Sequence, residues 1–170
     1  MENKDIIKMG KETSQKILND GQRIIPMCLV NHKDGKVGII ALPMGSPEQK
    51  GITRQVLFKF ILNQEIEKYA LIMDTKMTSA DGKAENPYEK AKVKDVIIIN
   101  IYSPKEKEMI GFEYGEDKQI KDKPVFKIKG RKDKMMDMWD LWGNQEDISP
   151  EVNDKYQKFK KENRDKFKGV

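Results

Sequence analysis

The sequence predicts an α+β fold: a mainly antiparallel sheet of five to six strands with helices packed against it, in the order α-β-β-α-β-β-β-β-α. Three observations carry this. Two apolar runs flank Asp34-Gly35, Ser46-Pro47 opens a long amphipathic segment, and the strand-like runs that follow leave little room for the crossover helices of a parallel sheet. At 170 residues the chain is long enough to bury one core. Residues 1–130 are read as that core domain, and 131–170 as a C-terminal helical extension, part of the same domain or an interaction tail.

The elements follow in order. Residues 3–19 carry Ile6, Ile7, Met9, Ile17 and Leu18 among polar positions, and Asp20-Gly21 closes them as a helix. IIPMCLV (24–30) and VGIIAL (37–42) are strands joined by a tight hairpin, because Asp34-Gly35 supplies the positive-φ positions of the turn. Pro26 then belongs at the start of its strand, or on an unpaired side of it. Ser46 is a helix cap, Pro47 a first-turn proline, and Gln49 stands where it would complete a capping box. That helix is expected to run to about Tyr69, showing Ile52, Val56, Leu57, Phe60, Ile61 and Ile66 to the sheet. Strands are expected at 70–77, 96–102, 109–114 and 125–129, and residues 79–92 read as an exposed connection of unusual length. Ser149-Pro150-Glu151 opens a final helix.

Composition narrows the function. Lys and Arg total 33 against 28 Asp and Glu, a net charge of +5 between large and interspersed totals, which permits contact with nucleic acid without requiring it. Cys28 is alone, which excludes an internal disulfide and fits a reducing compartment. No apolar run reaches the ~18 residues of a membrane span, and no signal-like segment opens the chain, so a cytoplasmic location is expected.

Few residues are candidates for chemistry. A zinc site needs three or four converging His or Cys ligands, and the chain has one of each. His32 beside the hairpin turn is a lone base without a triad around it. KDGKVG and SADGKAE contain Gly-Lys but lack the spacing of a phosphate loop and read as turns. Asp74, Asp81, Glu85, Glu89 and Asp95 could hold a hard cation, yet Lys76, Lys83, Lys90, Lys92 and Lys94 are mixed among them. A solvated surface explains such a run, and Asp74, next to the apolar LIM, is the one weak metal candidate. No cofactor is expected.

The C-terminal region offers two surfaces. Met135, Met138, Trp139 and Trp142 share one side of a short helix, either closing the core or forming a partner-binding or self-association face. Further on, Lys155, Lys158, Lys160, Lys161, Arg164, Lys166 and Lys168 outnumber two acidic residues, as in a helix that would contact phosphates or one merely exposed.

Finally, GQRIIPMCLVNHKDGKVGIIALP, then a helix, ALIMDTKM, a loop and VKDVIIINIY are similar to a family of small uncharacterised α/β proteins of bacteria and their phages, over roughly residues 20–102. The resemblance aligns Asp74 with an acidic strand end, Lys94-Asp95 with a basic-acidic pair and Asn86-Pro87 with a displaced proline. It implies that the acidic and basic ends of the loop pair and clamp it, a contact worth about 0–1 kcal/mol when exposed. The tryptophan and arginine of that family's pattern are missing here, and the loop is longer. The order of elements is also similar to that of profilin-like, longin-like and GAF-like domains, which carries no function. Together these readings predict a non-enzymatic accessory protein of phage or mobile-element origin acting through protein contacts. The alternatives are a nucleic-acid-binding protein using the basic C-terminal helix and a metal-assisted hydrolase centred on Asp74.

Overall fold

A computed structural model describes residues 1–79, 92–131, 137–143, 157–158 and 161–162. Six strands form one antiparallel sheet in the spatial order β2-β1-β3-β4-β5-β6. They are β1 (Met27–His32), β2 (Val37–Ala41), β3 (Ile66–Ser79), β4 (Lys92–Tyr102), β5 (Glu106–Tyr114) and β6 (Phe126–Arg131). Helices α1 (Asn3–Asn19) and α2 (Pro47–Leu62) pack on opposite faces, so the α+β class and the antiparallel sheet agree with the expectation. No helix among the described residues is long and apolar enough to cross a membrane.

The two faces follow from the two-residue period of a strand. Met27, Leu29, Ala70, Ile72, Ile97, Ile99, Ile110 and Phe112 meet α1, whereas Cys28, Val30, Tyr69, Leu71 and Tyr102 meet α2. β1 is therefore buried at every position. The close seat of α1 depends on Gly10: a Cβ there would stand 2.9 Å from the Ile99 side chain. Glycine inside a helix costs about 1 kcal/mol relative to alanine, which the close approach offsets. Polar groups fix the helix at both ends. Asn3 Nδ2 donates to Glu108 at 2.6 Å, Gln15 Nε2 donates to the Lys118 carbonyl at 2.8 Å, and Ile120 N donates to Gln15 at 2.9 Å.

α1 spans the expected residues. The hairpin is formed with Gly35 at φ +87°, and Met27 pairs with Ala41 through to Asn31 with Val37. β1 begins at Met27 rather than Ile24, because Pro26 has no N–H to give; its carbonyl accepts from Leu42 N at 2.7 Å. Ser46 caps α2, accepting from Gln49 N at 3.1 Å, but Gln49 Oε1 reaches back to Gly45 N rather than to Ser46 N.

α2 ends at Leu62, not near Tyr69. Asn63 terminates it, with Nδ2 donating to the Lys59 carbonyl, and Ile66 onward is drawn into β3. Tyr69 there pairs with Val30 on one side and Tyr102 on the other. Two flanking strands outweigh the helical periodicity of Ile66. Of the connection expected over 79–92, the two ends are strand, with Ser79 closing β3 opposite Lys92 at the start of β4, because the ladder between the two strands runs beyond their apolar runs; residues 80–91 and the final helix start at 149 lie outside the described residues.

Candidate functional site

The segment from Asp137 to Gly143 lies across the α2 face and forms the densest buried polar network among the described residues. It is a turn followed by a single 3₁₀ turn, Leu141–Gly143, rather than the expected amphipathic helix. Asp137 organises it. Its carboxylate receives the Tyr102 hydroxyl at 3.1 Å and Trp139 N at 2.8 Å, and it contacts the ammonium of Lys107 directly. Beside it, Tyr69 Oη donates to the Trp139 carbonyl at 2.5 Å and accepts from Leu141 N at 2.8 Å. The Tyr69 ring stacks on Tyr102 (4.9 Å between centroids) and on Trp142 (5.4 Å). Arg54 of α2 donates to the Met138 carbonyl.

Burial pushes both tyrosine hydroxyls up from their ordinary pKa; Asp137 adds to this for Tyr102, and Asp140 contributes at both. They remain proton donors across the working pH range, which suits a clasp rather than a base. Burial also holds the Cys28 thiol protonated.

Three of the expected partner-binding residues are placed by the structure. Trp139 is 6% exposed and packs with Leu141 in the α2-face core, and Trp142 packs partly buried against the same core. The pair packs inward because a turn and a single 3₁₀ turn, not a longer helix, set the two indoles against the α2-face core that includes Tyr69. Met138 is 51% exposed. Met135 lies outside the described residues.

A second feature begins where α2 stops covering the sheet. One row of paired residues crosses all six strands on the α2 face: Ile40, Cys28, Leu71, Asn100, Met109 and Ile128. The first three are sealed, Asn100 is 5% exposed, Met109 is half-buried and Ile128 is 49% exposed. The next row, Met73, Ile98, Gly111 and Phe126, is half-buried apart from Gly111, which lies beneath the Phe126 ring; a Cβ on Gly111 would be 2.3 Å from that ring. Among the described residues, Asn100 Oδ1, buried at the inner margin of this apolar surface, has no hydrogen-bond partner. Nothing in the composition announced this surface, since the face is assembled from one or two residues of each of β3 to β6, brought into line by register.

Asp74 is on the α1 face. Its Oδ2 accepts from Tyr114 Oη at 2.9 Å, and Asp95 is paired opposite Tyr114. Partial burial raises the Asp74 pKa and the Asp95 charge adds to it, while the Tyr114 hydrogen bond, Lys118 and Lys76 oppose. No group of three acidic, His or Cys side chains among the described residues is arranged to hold a metal. The expected clamp on the loop is not made by Asp74 and Lys94. Lys94 pairs opposite Met77 and points to the α2 face, where its Nζ is 3.5 Å from Glu113. The register puts the two charges on opposite sides of the sheet.

His32 lines a cavity of about 250 Å³ with Asp34, Asn63, Gln64 and Glu65. Burial lowers its pKa, Asp34 opposes this and Lys36 reinforces it. Of the basic C-terminal residues, Lys158 and Lys161 are exposed and helical, and Lys158 faces Glu162 at 3.8 Å. Lys155, Lys160, Arg164, Lys166 and Lys168 lie outside the described residues. No family model, curated protein or solved structure matches this chain.

Proposed function

We propose that the protein is a non-enzymatic accessory protein that binds another protein through the partly exposed outer part of its α2 face, around Met109, Phe126 and Ile128. The observation that supports this most directly is the row from Ile40 to Ile128, whose burial falls off toward β6 and whose outer members, Met109 and Ile128, are apolar. Met109, Ile98 and Phe126 extend the surface. Apolar surface rimmed by polar groups is the usual mark of a protein contact. Lys94 and Glu113, an ion pair on the same face beyond Gly111 and Phe126, provide part of such a rim.

The test is site-resolved photocrosslinking. A photoreactive analogue replacing Ile128 is expected to give a discrete adduct in extracts of the native host, and the same group replacing the exposed Lys8 of α1 is not. The adduct should be lost on Ile128→Glu with the fold retained. Equal labelling from both positions would overturn the reading, and salt-sensitive labelling of nucleic acid would favour the basic-helix alternative.

A further inference from the structure

We propose that the outer edge of β6 is a strand-addition site for an extended peptide segment of another protein that alternates apolar and acidic residues. This rests on the protein-contact reading and names the chemistry of the partner. β6 ends the sheet: it pairs with β5 through Gly111–Phe126 to Glu106–Arg131, and no strand pairs with its other side among the described residues. An edge strand leaves alternate N–H and C=O groups directed outward, a template for one more strand.

The side chains of β6 state which strand fits. Phe126 and Ile128 project to the α2 face, and Lys127 and Lys129, both exposed, project to the α1 face. Each lysine already meets a carboxylate of β5: Lys127 Nζ is 3.3 Å from Glu108, and Lys129 Nζ is 3.5 Å from Glu106. A strand added outside β6 brings its own side chains to the same cross-strand distance on the other flank, about 5 Å between Cβ atoms. Carboxylates there complete the surroundings of both ammonium groups, while apolar residues on the alternate positions extend the surface of Phe126 and Ile128.

A second copy of β6 does not fit. Antiparallel pairing centred on Ile128 sets Lys127 against Lys129 of the other copy, and a register shifted by one residue sets Ile128 against Lys127. Parallel in-register pairing sets each lysine against itself. Like charges directly opposite are destabilising, so the pattern that deters self-association and neutral strands leaves an acidic, apolar strand as the complement. The net charge of +5 attracts such a segment at longer range.

The experiment uses the full-length protein with three short synthetic peptides, alternating valine and glutamate, valine and lysine, or serine and glutamate. Binding is followed by fluorescence anisotropy and by residue-resolved amide exchange. The valine–glutamate peptide is expected to slow exchange at residues 126–131 and to bind at least about tenfold more tightly than either other peptide, a difference of about 1.4 kcal/mol. Lys127→Gln with Lys129→Gln should leave its advantage over the serine–glutamate peptide in place and remove most of its advantage over the valine–lysine peptide. Equal binding of the three peptides, or protection outside β6, overturns the proposal. Should that variant fail to fold, the comparison on the native protein decides alone. If the peptides fail while the crosslink from position 128 persists, the strand-addition site is wrong and the protein-contact reading stands.

Discussion

The ammonium of Lys107 and the carboxylate of Asp137 are in direct contact across the sheet face, and the lysine side chain is only 5% exposed while the aspartate is 32% exposed. A lysine so enclosed cannot exchange its partner for water. Asp137→Ala should therefore destabilise the protein by about 3 kcal/mol, the low end of the range for breaking a buried pair, because Asp137 keeps some contact with solvent. Removing both charges with Lys107→Met and Asp137→Leu should cost less than the single change. Urea denaturation of the three variants measures this; additive losses would mean that the pair is not coupled.

The hydroxyl of Tyr69 both donates to and accepts from the clasp segment. Tyr69→Phe keeps the ring stacked between Tyr102 and Trp142 but strands the Trp139 carbonyl and Leu141 N–H in a dry site. The expected loss is about 1–3 kcal/mol, accompanied by a shift in tryptophan fluorescence as Trp139 and Trp142 loosen. A variant as stable as the native chain with unchanged emission would show that the clasp contributes nothing.

Gly35→Val tests backbone conformation without crowding. A side chain at Gly35 would meet nothing within 4 Å, but φ is +87°. The strain of forcing a β-branched residue there is about 1–2 kcal/mol, so the melting temperature should fall, while Gly35→Asn, which tolerates the left-handed region, should lose less. Equal melting temperatures for both variants and the native protein would count against the hairpin turn.

His32 predicts a pH dependence of stability. Its folded pKa lies below the ordinary 6.5, so as pH falls through that value the unfolded chain takes up a proton that the folded chain resists. Stability contributed by neutral His32 is present above about pH 6.5 and declines as pH falls toward the folded value. The urea midpoint of the native protein should drop more between about pH 7.5 and about pH 5.5 than that of His32→Gln. Parallel profiles would mean that another group carries the effect.

What the chain determined by itself was local. The limits of α1, the Asp34-Gly35 hairpin and the Ser46-Pro47 start of α2 each rest on residues a few positions apart: a cap, a proline that pre-sets φ, a glycine that accepts a positive one. Such signals act within one turn of chain, and they survive in any fold that keeps the element. The end of α2 was different, because Ile66 and Tyr69 continue a helical pattern and only the flanking β1 and β4 convert them to strand. The same distance separated Asp74 from its partner: an acidic strand end suggested Lys94 nearby in sequence, but the pleat directs that lysine to the other face and gives Asp74 the hydroxyl of Tyr114. For Trp139 and Trp142 the sequence favoured the core over a partner, and Tyr69, about seventy residues earlier, supplies the surface that receives them. The row that becomes exposed only at Ile128 could not be read from sequence at all, since each strand contributes one residue to it and the strand order alone brings them into line. Short-range steric and hydrogen-bonding preferences decided the elements; register, and which face each helix happened to cover, decided what remained available to a partner.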